Sequence, residues 1–369
     1  MRRAKLALIS LAAVSSVTLT AAADKGKECK PSGAPQALGE VGPLAVAQPV
    51  DYWSEAWLLV TDKQVKAEHV RLVAAAGKSI ELGKPPITAE PQFWLARGRA
   101  VYALAKGRSL VTGKTDVVLM RWGTDPRPRM TILHTTDAVG GQLNGAFANE
   151  YLAVTWTAKA ADGKMHRFAS FLDSEDLRVK PPQDLGLDSG GPSRTLAMGK
   201  SFVVLWSGDS GLMRASFDMF GKSAGAAAKI DGVKTASVRA LAQCGERLWT
   251  ISDGSKELSV ASGAVSGPLK NVTTLPLPPS GDPLQLQCVG ESIALTRRML
   301  SAKGDNITLW ISTIDASGKL RERRVKDMKG TADDIRMPQL AVTGGKLVSW
   351  WAEGADPMAK IWAREITCD

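Results

Sequence analysis

The chain is poor in the side chains that most enzyme chemistry uses. It has three histidines in 369 residues, His69, His134 and His166. They stand at unrelated places, with no His-x-x-x-His or His-Glu-x-x-His spacing. That excludes a zinc-hydrolase helix, which needs two imidazoles on one face. No Asp-x-Asp calcium loop and no Gly-x-Ser-x-Gly elbow occur. Gly208-Asp209-Ser210-Gly211 reads as a turn. Four cysteines without a Cys-x-x-Cys pair give no zinc ribbon. No catalytic residue, metal or cofactor is therefore expected. No amphipathic helix of useful length is visible either.

Long apolar runs are also missing beyond the first 23 residues. Those residues carry Arg2, Arg3 and Lys5, then a short apolar stretch, then Ala21, Ala22 and Ala23. This is the pattern of a secretory signal peptide. The stretch is short for a spanning helix and contains Ser and Thr. A periplasmic or secreted protein without a transmembrane anchor is expected, with a single domain over 24–369. The net charge is +10, with the basic residues spread out. Arg321, Arg323 and Arg324 form the densest run. Without a basic stripe or reader motif, nucleic acid is not an expected partner.

What is present is a repeat. A tight turn followed by an apolar run, often ending in Trp, returns about every 45 to 50 residues. The copies are SEAWLLV (54–60), RAVYALA (99–105, after Gly98), NEYLAVTW (149–156), GKSFVVLW (199–206), GERLWTI (245–251), GESIALT (290–296) and GGKLVSWW (344–351). Each repeat parses into four strands, a to d. The Gly-Lys, Gly-Glu and Asn-Glu pairs suit two-residue hairpins between a and b. Strand b is apolar on consecutive residues, whereas a strand with one wet face would alternate. Small antiparallel sheets with both faces buried fit blades arranged around an axis. The predicted fold is all-β: a seven-bladed β-propeller of four-stranded antiparallel blades. Blades are expected to start near residues 48, 91, 142, 194, 238, 284 and 337.

The last repeat supplies only three strands. The missing one should come from the N-terminus, with 36–46 as the candidate, which closes the ring and removes a free edge. The cysteines follow from this parse. Cys368 ends strand c of the last blade and Cys29 shortly precedes the closing strand. Cys244 and Cys288 occupy nearly the same place in consecutive a strands. The expected disulfides are Cys29–Cys368 and Cys244–Cys288.

The eleven tryptophans mostly end strand b or sit in strand c, where they should pack between blades. Trp53 and Trp94 lie nearer the axis and are the candidates for exposed stacking. Carboxylates recur in the loops between strand d and the next strand a: Asp137, Asp188, Asp231, Asp282 and Asp334. Arg194, Arg239 and Arg336 follow near the start of strand a. Long loops such as 181–194 and 326–338 leave from this end, the usual place for binding. Asp137, Asp188, Arg194, Arg239, Asp282, Asp334 and Arg336 are the candidate ligand-binding residues. The competing reading is that each Asp caps its own turn and pairs with a neighbouring Arg.

With its Trp-ended strand b and an Asp-x-x-Gly ending to strand c (218–221, 315–318), the chain resembles secreted bacterial β-propeller repeat proteins. The resemblance covers nearly all of 24–369, through generic motifs. The sialidase Asp box, the Trp-Asp blade ending and the quinone-binding pattern are absent, so no named enzyme's residues carry over. A fold does not license a function. The expectation is a monomeric, noncatalytic binding or scaffold module of the bacterial envelope or exterior, with an envelope protein or glycan as partner. The alternative is a polysaccharide hydrolase or lyase using carboxylates from the d-to-a loops.

Overall fold

The structure is a computed structural model. It describes residues 28–368 except 42–45, 53–54, 65–66, 75–78, 84–88, 110, 124–127, 176, 178–179, 233–237, 266, 279–283, 302, 331–334, 344–345 and 355–358. The proposed signal segment, Trp53, Asp282 and Asp334 lie outside the described residues.

Seven four-stranded antiparallel sheets follow one another along the chain. Their first strands are Val46–Tyr52, Ala89–Arg97, Val139–Ala148, Ser193–Met198, Val238–Cys244, Gln287–Val289 and Ile335–Thr343. Each of these touches the first strand of the blade before and after it, and the seventh touches the first. The sheets are therefore the blades of a closed seven-bladed propeller, with these strands around the axis. No helix among the described residues is long and apolar enough to cross a membrane.

The consecutive apolar residues of strand b have a direct structural reason. In blade four, Ser201–Gly208 is buried from Phe202 onward. Phe202, Val204 and Trp206 pack with Ala153 and Phe171 of blade three. Val203 and Leu205 pack instead with Leu241 and Leu248 of blade five. Successive side chains point to opposite faces of a strand, and here each face is a seam with a neighbour. Trp122, Trp156, Trp206, Trp249, Trp350 and Trp351 are fully buried in such seams. A buried indole hides roughly 200 Å², which is about 5 kcal/mol of transfer free energy before the entropy of ordering is counted.

Trp94 corrects one expectation. It is buried and lies 5.3 Å from Trp122, centroid to centroid, so it is seam packing and not an exposed platform. The inner strand still presents one face to a neighbouring blade, and that face takes the indole. Trp310 and Trp362 are partly exposed and covered by cations: Arg324 over Trp310, Lys326 and Lys360 over Trp362.

Blade seven is completed from the N-terminus. Cys29–Val41 pairs with Ala359–Cys368, from Cys29 opposite Cys368 to Val41 opposite Ala359. The strand thus runs over 29–41 where the sequence suggested 36–46. It starts early because its first residue is the disulfide partner of the last paired residue, and Val46 already belongs to blade one. Cys29–Cys368 joins residues 339 apart, for which the chain-entropy account gives about 6 kcal/mol. Cys244–Cys288 ties the inner strands of blades five and six. No free cysteine remains among the described residues.

Candidate functional site

The inner strands leave a cavity of about 420 Å³ on the axis. Its walls come from the starts of the inner strands of blades two to five and from the residues leading into that of blade six. It therefore opens at the end from which the long d-to-a loops leave. The tight turns at Gly98, Asn149, Gly199, Gly245 and Gly290 mark the other end.

Five long polar side chains line this cavity: Gln92, Gln142, Arg194, Arg239 and Gln285. They sit at nearly the same place in five successive repeats. Asn144 and Ser193 add a bridge between two inner strands, with Asn144 Nδ2 donating to Ser193 Oγ at 2.7 Å. Phe93, Leu143, Leu241 and Leu284 supply the apolar part of the wall. No acidic side chain is among the described residues lining it.

A bulge shapes one wall. Gly140 pairs with Thr157 and Asn144 with Thr155, so three residues stand opposite Trp156 alone. Extra residues on one strand bend it and re-aim side chains. Gly141 has φ +60°, and a Cβ there would meet Thr157 Oγ1 at 2.7 Å. Arg167 Nη1 holds the bulge by donating to the Gln142 carbonyl at 3.0 Å. Arg167 is in turn fully buried with Asp188, 2.6 Å away. Asp188 also accepts from Thr157 Oγ1 at 2.7 Å and from the Gly190 amide at 2.8 Å. Burial lowers the proton affinity of Arg167, and the Asp188 carboxylate opposes that effect.

Arg194 differs. It lines the cavity and is partly buried. Burial lowers its proton affinity too, but no carboxylate opposes the effect. Arg239 lies 3.5 Å from Asp253.

The sequence-derived candidates thus separate. Arg194 and Arg239 meet at one cavity. Asp137 is exposed and lies 3.3 Å from Lys114, away from the axis. Asp188 is committed to Arg167, Thr157 and Gly190. Asp282 and Asp334 fall outside the described residues. Arg336 has its backbone in Ile335–Thr343, and its side chain is outside what is described. The three glutamines were missed, although their shared register in the repeat was a readable signal. Arg167 gave no signal, because its partner comes from a distant loop.

The described histidines lie elsewhere. His134 Nδ1 accepts from Trp156 Nε1 at 3.1 Å, and burial lowers its pKa, so it is neutral. His166 sits between Asp184 and Asp162, at 2.8 and 3.1 Å. Among the described residues, no group of three His, Cys, Asp or Glu side chains is placed to hold a metal. A second cavity, about 340 Å³, lies by the tight turns of blades two and three. Arg97, Arg99, Arg121, Glu150 and Glu175 line it, with Arg97 and Glu150 paired at 2.8 Å.

No protein-family model and no curated protein matches the chain. Among solved structures it is similar to the β-propeller domain of the Trilobed protease from Pyrococcus furiosus. Identity there is 10%, TM-score 0.48, and 88% of this chain and 94% of that one are covered. It is also similar to a periplasmic gluconolactonase of Pseudomonas aeruginosa, at 14% identity and TM-score 0.45, covering 91% and 99%. For a sialidase of Trypanosoma rangeli the identity is 10% and the TM-score 0.46. That match covers 91% of this chain but only 57% of the sialidase. Likeness at this level carries no residue and no activity to this chain.

Proposed function

We propose that the protein is a noncatalytic binding module of the bacterial cell envelope or exterior, and that it receives a glycan in the channel mouth at its long-loop end. The observation that carries this reading is the set Gln92, Gln142, Arg194, Arg239 and Gln285, which line one cavity from five successive blades. Amide side chains both donate and accept, as sugar hydroxyls do. The cavity volume lies within the range of small-molecule sites, about 300–1,000 Å³. The two disulfides fit an oxidising, non-cytoplasmic compartment, and the first 23 residues fit export to the periplasm or beyond.

The hydrolase or lyase reading asks for two carboxyl groups flanking a scissile bond. Of the described carboxylates in those loops, Asp137 and Asp188 are engaged with Lys114 and with Arg167, and Asp231 is exposed and is not among the residues lining the cavity. The test is a thermal-shift screen of the exported form against a glycan panel, followed by product analysis. A ligand at a hundredfold excess over its Kd stabilises by about 2.7 kcal/mol. The expected result is a shift that Gln142→Ala weakens, with the glycan recovered unchanged. A glycan that stabilises and is then cleaved sinks the noncatalytic reading.

A further inference from the structure

Arg194 is a partly buried cation without a described counter-charge. It lines the cavity, and no described side chain gives it an ion pair or a hydrogen bond. Three other buried or part-buried arginines have carboxylates: Arg167 has Asp188, Arg297 has Glu322, and Arg321 has Asp315; Arg121, Arg247 and Arg364 have hydroxyl or carbonyl partners instead. Taking a cation out of bulk water without a partner is costly. At a packing position, a methionine or leucine would serve better. A cation kept at a cavity wall instead offers its fork of donors to an anion, and carboxylates are the anions it fits two-pronged.

The rest of the wall says what carries that anion. A sulfate presents only acceptors, and inorganic phosphate near neutral pH has at most one or two O–H donors. The three carbonyl oxygens of Gln92, Gln142 and Gln285 would face either of them short of donors. A sugar acid has one carboxylate and several hydroxyls, which can satisfy both halves of each amide.

We propose that the channel mouth binds an acidic sugar, a uronic acid residue of a glycan, with its carboxylate at Arg194 and its hydroxyls on the glutamines. This rests on the channel-mouth reading above and adds the ligand class to it. Arg239 stands on the neighbouring blade at the same wall, with its charge met by Asp253.

The experiment is calorimetric titration of the exported form with D-glucuronate, D-galacturonate and D-mannuronate. Glucose, galactose, mannose and inorganic phosphate are titrated alongside. Each neutral sugar differs from its acid only in the carboxylate. At least one uronate is expected to bind ten times tighter than its neutral parent and than phosphate. Arg194→Met should abolish that preference, and Arg194→Lys should restore part of it. If no uronate binds, or if Arg194→Met leaves the preference intact, the proposal is wrong. Phosphate binding as tightly as every uronate would make this a general anion site and overturn it as well. A neutral sugar that binds equally well and is weakened by Gln142→Ala would overturn the acidic-sugar claim and leave the channel-mouth reading standing. Glycan binding insensitive to Gln142→Ala and Arg194→Met together would remove both.

Discussion

Arg167 and Arg194 are both taken out of bulk water, and they lie in regions built for different ends. Arg167 sits in the seam of blades three and four. Its charge is met by Asp188, and Asp188 is itself held by Thr157 and the Gly190 amide. Arg194 sits a few residues after Asp188 on the channel wall, and no described carboxylate meets it. The same residue type is closed off in one place and left open in the other. In the seam, the charge of Arg167 is met by a carboxylate that is itself held in place. On the channel wall, hydrogen-bonding capacity is left over. An unmet charge beside a cavity, more than charge or exposure alone, separates the candidate site from the scaffold.

The sharpest way to break this comparison is to remove Asp188. Asp188→Ala leaves Arg167 buried without a counter-charge, and breaking a buried pair from one side costs about 3–5 kcal/mol. Arg194→Met should change stability by under about 1 kcal/mol, or raise it, because no pair is lost. Urea denaturation of the two variants beside the parent measures both. If Arg194→Met is as damaging as Asp188→Ala, Arg194 belongs to the scaffold and the distinction collapses.

A smaller effect should appear where the seam shapes the channel wall. Gly141→Ala places a Cβ at 2.7 Å from Thr157 Oγ1, in a backbone conformation at φ +60°. The same Oγ1 donates to Asp188. The strain and the displaced hydrogen bond together should cost about 2 kcal/mol. Gly163→Ala has a similar positive φ, +82°, but nothing within 4 Å, and should cost about 1 kcal/mol or less. Equal losses in the two variants would mean that Thr157 yields freely and that the bulge is not braced by the seam.

The comparison also explains which parts were legible in the sequence. Runs such as FVVLW are written along the chain, because each residue's seam is set by strand periodicity. The incomplete last repeat announced its own closure, and the cysteines inherited their partners from the blade register. Arg194 and Arg239 were legible because each opens an inner strand. Gln92, Gln142 and Gln285 occupy the same register but were overlooked, since the reading followed charge and not position in the repeat. Three features were not written locally. The bulge at 141–143 depends on the pairing of Val139–Ala148 with Tyr151–Lys159. The commitment of Asp188 depends on Arg167, which comes from the strand two before it. Trp94 was misplaced because nearness to the axis does not decide which face of a strand is covered.

The smallest effect concerns the outer side of blade three, where His166 lies between Asp184 and Asp162. Burial works against its charge, but the hydrogen bonds and attraction of the two carboxylates outweigh it, so its pKa is raised above 6.5. A group whose pKa is higher folded than unfolded binds its proton more tightly in the folded state. Its contribution is fully present below pH 6.5 and fades as pH rises through the raised folded value. Contacts this near the solvent are worth under about 1 kcal/mol. His166 neighbours Arg167 in sequence, and the Asp188 amide donates to the Met165 carbonyl at 3.0 Å. Loss of the charge should therefore loosen the strand Gln183–Leu187, where Asp184 sits, without disturbing the buried pair. His134, with its lowered pKa, pulls the other way over this range, so the measure is the midpoint difference between parent and His166→Gln, which should shrink from pH 6 to 8. Asp188→Ala should shift the whole curve down while keeping its shape. A difference that does not change with pH would assign the pH dependence to another group and leave the seam and the outer strand energetically separate.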